Sequence, residues 1–236
     1  MDIDAEAWGG WEGPDAPGWG MGASHASLYQ VEGLATDQAW ARITGRGLVG
    51  ALAWSQAGLP GERETRVRVA LRECRAKRIA LGVSVERLEI ALEGEPPSGG
   101  WAAGSAVRST TFIRGVALEA MIGADRLLRS GSLGRLDAAP SVPVSVQLRA
   151  GAAAIAWIDR WESDGARSPR IAIALLLGET ATLRLARGDS PERIGTSISV
   201  RLRGFEVSAG RLDLATGGSV TGFSLAWAGP HEREGA

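Results

Sequence analysis

The sequence predicts an all-β protein: two tandem, similar sandwich- or barrel-like modules with one short helix, preceded by an extended N-terminal arm. Three observations predict it. Apolar and polar residues alternate at period two over long stretches, the signature of strands with one wet face. The run 39–54 has an echo in 142–157, each an apolar frame closed by a Trp, Trp54 and Trp157. The first 38 residues combine glycines and prolines that forbid a regular element with aromatics too apolar for an ordinary tail.

Taken in order, residues 1–38 read as the arm. Trp8, Trp11 and Trp19 lie there outside any core pattern, and an irregular segment carrying such side chains is expected to be pinned on a neighbour or on its own body. They are the candidate partner contacts. Module 1 spans 39–130. Within it Val67, Val69 and Leu71 alternate with Arg66, Arg68 and Arg72, Ile79 to Val85 continue the alternation, and Leu88, Ile90 and Leu92 oppose Arg87 and Glu89. Three strands with short connections make an antiparallel meander. Residues 116–128, apolar nearly all round and followed by Gly131, read as the helix. Residues 131–143 are Gly-, Ser- and Pro-punctuated and read as a linker, and 144–236 form module 2. There Ile171, Ile173 and Leu175 repeat the spacing of Val67, Val69 and Leu71, which points to internal duplication. Trp54 and Trp157 are expected in the core.

Composition excludes several classes. A net charge of -1 gives no basic footprint for nucleic acid. Lone Cys74 allows no disulfide framework, and His25 and His231 have no partners at metal-ligand spacing. The N-terminus lacks the apolar region of a secretory signal. No window approaches the roughly 18 apolar residues of a helical membrane span, so no membrane contact is expected. Basic residues are nearly all Arg, with Lys77 the single lysine. No Gly-x-Ser-x-Gly elbow and no phosphate-binding loop before Lys77 occurs, so no catalytic residue, metal or cofactor is nominated.

One stretch invites a cofactor. Gly45-x-Gly47-x-x-Gly50, followed by Arg66–Glu73, resembles the flavin-binding start of aromatic hydroxylases and related oxidoreductases. The resemblance covers about 30 residues of dinucleotide-binding pattern. It implies a tight turn at Gly45, pyrophosphate approach at Gly47, helix packing at Gly50 and a ribose contact at Glu73. Against it stands Arg42, in a strand that the resemblance would bury on both faces. A ten-residue run, 109–118, resembles the Gly-bearing loop of the RNA-binding backbone proteins of CRISPR complexes. Arg187-Gly188-Asp189 spells a cell-attachment tripeptide by composition alone.

The reading that follows is a non-catalytic assembly subunit of a bacteriophage or phage-like virion (tail, baseplate or shell), a homo-oligomer or part of a larger assembly, found in a virion or bacterial cytoplasm. Duplication suits such a role, since closed rings need equivalent interfaces. The alternatives are a glycan-binding sandwich using exposed Trp and a flavin- or NAD-binding oxidoreductase.

Overall fold

The computed structural model describes residues 18–28, 31, 33–45, 47–76, 78–131, 140–163, 165–178, 180–189, 192–215 and 218–229. Trp8, Trp11, Lys77, His231 and most of the expected linker lie outside them.

The described chain is almost entirely strand. In order these are β1 (Gly18–Ser27), β2 (Ala35–Gly45), β3 (Leu48–Leu59), β4 (Glu62–Ala76), β5 (Ile79–Leu92), β6 (Ser98–Ile113) and β7 (Val116–Arg129). There follow β8 (Ser141–Ala150), β9 (Ala153–Glu162), β10 (Arg170–Leu177), β11 (Ala181–Asp189), β12 (Glu192–Leu202), β13 (Phe205–Leu214) and β14 (Ser219–Ala228). Each pairs antiparallel with its sequence neighbours, and β1 pairs with β14 over Gly20↔Ala228 to Ser27↔Thr221. The sheet therefore closes into one barrel of fourteen strands. Closure leaves no strand with an unpaired edge, so no backbone donor row is left open to another chain. This overturns the two tandem sandwich modules. Part of the expected arm is wall, since Gly18–Ser27 is β1 and β2 begins at Ala35.

The expected helix is also strand. Val116, Leu118, Ala120 and Ile122 share one face of β7, while Ala117, Glu119, Met121 and Gly123 share the other. It reads as apolar all round because its second face carries Ala, Met and Gly. At its start, Arg114 and Gly115 both have positive φ, 49° and 83°. That is the two-residue hairpin turn whose twist matches the flanking strands. Arg203 and Gly204 repeat it, at 48° and 89°.

The two hairpin ends of the barrel differ. At one end the connections are 46–47, 77–78, 114–115, 151–152, 178–180 and 203–204. Both ends of the closed ring lie there too, since the Gly229 N–H donates to the Trp19 carbonyl at 3.0 Å. At the other end 28–34, 93–97, 130–140 and 163–169 are the longer connections, beside 215–218 and the two-residue 60–61 and 190–191. One mouth thus has only connections of two or three residues, and the other carries all the longer ones.

The faces are inverted relative to a water-soluble core. Outward positions carry the large apolar residues: Leu52, Val69, Leu71, Leu81, Val83, Val107, Ile122, Ile155, Ile173, Leu185, Ile198, Val207 and Leu225 are all exposed. The buried apolar residues are mostly alanines, among them Ala80, Ala102, Ala156, Ala172 and Ala174 on the inner face. Trp54 lies on the outer wall opposite Ala39 and Val67, and Trp157 on the outer wall opposite Val146 and Ile171, so neither is in a core. Fourteen strands ~4.8 Å apart and tilted ~40° enclose a ring roughly 27 Å across, backbone to backbone. Extensive backbone contact occurs only between ring neighbours, so the ring is not flattened onto itself.

Candidate functional site

The inner wall is the feature of the barrel with concentrated chemistry. Because side chains alternate across a strand, most of the arginines that interrupt the apolar positions land on the inner face. On β4 that face presents Arg66, Arg68 and Arg72, with Glu62 and Glu64, while Val67, Val69 and Leu71 point out. Small residues dominate the rest of the inner wall: Ala51, Ala53, Gly82, Ser84, Ala106, Ser197 and Gly210 leave room above the sheet.

In the loop-side half the charges interlock across strands that are not neighbours. Arg68 on β4 donates to Ser84 Oγ on β5 at 3.1 Å and to Asp125 Oδ1 on β7 at 3.2 Å. Arg160 on β9 approaches the other oxygen of Asp125 at 3.8 Å. Arg126 reaches back to Glu86 on β5 at 3.3 Å, and Arg66 pairs with Glu64. Asp125 and Arg126 are consecutive, yet both serve this network. A β-bulge allows it: pairing with β6 jumps between Ala103 and Ser105, and Arg126 has φ 57°. Gly104 faces the bulge, and a Cβ there would meet the Ala124 carbonyl at 2.8 Å and Asp125 Cα at 3.2 Å. The glycine is what lets the bulged backbone come close.

In the turn-side half, Arg42, Arg72, Arg108 and Arg149 occupy inner positions of β2, β4, β6 and β8. Arg108 lies 3.6 Å from Glu119 of β7. Farther round, Arg184 Nη1 donates to Ser199 Oγ at 3.1 Å, and Glu206 accepts from Arg201 at 2.7 Å while lying 3.9 Å from Arg184. Among the described residues no group of three or more His, Cys, Asp or Glu is placed to hold a metal ion.

On the outer wall one acidic residue is sealed off. Asp159 of β9 points outward at 0% exposure, accepting from Trp161 Nε1 at 2.8 Å and from the Arg167 guanidinium. Arg167 arrives because it forms a bridge with Trp161, folding the loop-end connection back onto the wall, and its guanidinium carbon stands 5.5 Å from the Trp161 ring centre.

The residues singled out by sequence fall elsewhere. Gly45-x-Gly47-x-x-Gly50 is the β2–β3 hairpin: Gly45 pairs with Leu48, Gly47 has φ 80°, and Gly50 is an outward strand position opposite Ile43 and Leu71. No helix follows it, so the oxidoreductase alternative has no nucleotide turn. The run 109–118 is likewise the end of β6, a tight turn and the start of β7. Trp19 stands on the outer wall in edge-to-face contact with Trp227, centroids 4.6 Å apart. Missed altogether were the inner arginines as a group. Their signal was present in the alternation of Arg66, Arg68 and Arg72.

No protein-family model matches the chain, and no curated protein matches it. Solved structures do resemble it. A mutant of the Rh. blastica porin superposes with TM-score 0.51 at 10% identity, covering 90% of this chain and 99% of that one. A triple mutant of the Rhodopseudomonas blastica porin gives the same TM-score, identity and coverage. CdiB from Acinetobacter baumannii gives TM-score 0.52 at 9% identity, with 92% of this chain matching 61% of that one. These likenesses are of fold. With the outward apolar face, they overturn the expectations of a virion tail, baseplate or shell subunit, of a virion or cytoplasmic location and of no membrane contact. The glycan-binding alternative loses its sandwich, and the chain is similar to porin barrels.

Proposed function

We propose that the protein is a transmembrane β-barrel of a bacterial outer membrane and that its polar lumen passes small solutes. The single observation that carries this is the inverted wall: large aliphatic side chains outside, arginines, acids and small residues inside. In water, a continuous apolar belt of this size would associate or aggregate, because soluble monomers keep such patches to a few hundred Å². In a bilayer the belt is the solvated face, and closure satisfies every ladder group internally. Short turns at one mouth and longer loops at the other match the two ends of such barrels, the turns lying on the periplasmic side. Most outward charges fit too: the His25–Asp37 pair, Arg63, Arg87, Glu89, Arg187 and Asp213 sit toward the loop end, beyond the aliphatic belt, while Glu73 lies near the turn end opposite Leu48 and Leu81. The barrel is read as a passive channel without catalysis.

The test is reconstitution. Protein refolded in detergent and added to a planar lipid bilayer should give discrete conductance steps. Protein that stays soluble and monomeric without detergent, and leaves the bilayer silent, would contradict the reading.

A further inference from the structure

Charge along the lumen is unequal. In the loop-side half, Arg66, Arg68, Arg126, Arg129, Arg160, Arg170 and Arg193 stand against Glu62, Glu64, Glu86, Asp125 and Glu162, which leaves 7 − 5 = +2 among the described residues. The turn-side half carries a larger excess. Arg42, Arg72, Arg108 and Arg149 form one arc of the inner wall, and Arg184 and Arg201 continue it across the barrel. Against these six stand two described inner carboxylates, Glu119 and Glu206, which leaves 6 − 2 = +4. The tight turns of that mouth add Arg78, Arg114 and Arg203, all exposed.

We infer that this arginine belt makes the lumen selective for small anions. The inference rests on the channel reading and specifies the solute class. Individual guanidiniums have partners, but the field at the pore axis follows the net charge of the ring, not the number of unpaired members. Rings of Arg or Lys are how pores favour anions, and low-dielectric walls focus the field. The strand between Arg72 and Arg108 is built to accommodate them. β5 offers Gly82 opposite Arg72 and Ala80 opposite Arg108, so both long side chains can lie along the wall, where each is less than a tenth exposed. Arg149 and Arg201 remain exposed at the inner face.

The experiment is the zero-current potential of the full-length protein in a planar bilayer under a KCl gradient. Wild type should pass chloride several-fold more readily than potassium. The double variant R149E/R201E, changing only exposed members, removes the +4 and should bring the ratio to near unity or invert it. If that variant fails to insert, R149Q, with a smaller change in the same direction, replaces it. Channels that prefer potassium, or a preference that neither variant moves, would overturn the anion assignment and leave the channel standing. A silent bilayer from folded protein would overturn both.

Discussion

Single residues give sharp tests of the barrel. Asp159 is fully buried and is held by Trp161 and Arg167. Asp159→Ala should therefore lower stability by about 2 kcal/mol, the range of hydrogen bonds to charged groups, read as an earlier unfolding midpoint in urea. The glycines of the 45–50 stretch make a paired prediction. A Cβ at Gly45 meets nothing within 4 Å, so Gly45→Ala should be nearly neutral. Gly47 sits at φ 80°, so Gly47→Ala should cost about 1–2 kcal/mol. A nucleotide-binding turn would penalise both through lost cofactor affinity, whereas a hairpin penalises one through backbone strain. Gly104→Ala should cost about 1–3 kcal/mol, because its Cβ meets the backbone of the bulge rather than a movable side chain. The same change at Gly50, where the neighbours are side-chain carbons at 3.5 and 3.7 Å, should be tolerated.

At the scale of elements, alternation was legible and its polarity was not. Val67, Val69 and Leu71 against Arg66, Arg68 and Arg72 identify a strand in any solvent. Period two says that the faces differ, and only the solvent decides which face is buried. An ordinary helical window of apolar residues cannot register spans of about 9–11 alternating residues. The same blindness made β5 look like two strands. Ile79 to Val85 point out at its turn end, but Leu88 and Ile90 point in where Arg87 and Glu89 face out. The polarity switches within one strand as it leaves the aliphatic belt. Residues 116–128 failed as a helix for a related reason, because Arg114-Gly115 is a tight hairpin turn with Arg where Asn or Asp is usual. Asn tolerates positive φ better than Arg, so Arg114→Asn should raise stability by a few tenths of a kcal/mol, visible as slower unfolding. The echo between 39–54 and 142–157 is that of the β2–β3 and β8–β9 hairpins, whose outward aliphatics and Trp54 and Trp157 face the same surroundings.

For the whole molecule, the decisive quantity is the cost of placing a charge on the outer wall. Val83 lies in the middle of the aliphatic run of β5, 59% exposed, between Leu71 and Ser105. In water, Val83→Arg at such a position would be close to neutral. At the midplane of a bilayer it should cost about 2–4 kcal/mol, measurable by equilibrium folding into lipid vesicles. Composition could not have announced this. A mean hydropathy of -0.01 averages an apolar exterior with a charged interior. The scarcity of Lys, with Lys77 the single one, coincides with arginines that line the interior.

The most direct test of the central claim is the solvent seen by successive positions of one strand. Single-cysteine variants at 82, 83, 84 and 85, in a Cys74→Ser background, would carry a fluorescent label in lipid vesicles. Labels at Val83→Cys and Val85→Cys should be quenched by a lipid-soluble quencher and be protected from iodide. Those at Gly82→Cys and Ser84→Cys, on the lumen face, should show the reverse. Iodide quenching at 83 and 85, with no response there to the lipid-soluble quencher, would contradict a membrane-facing wall.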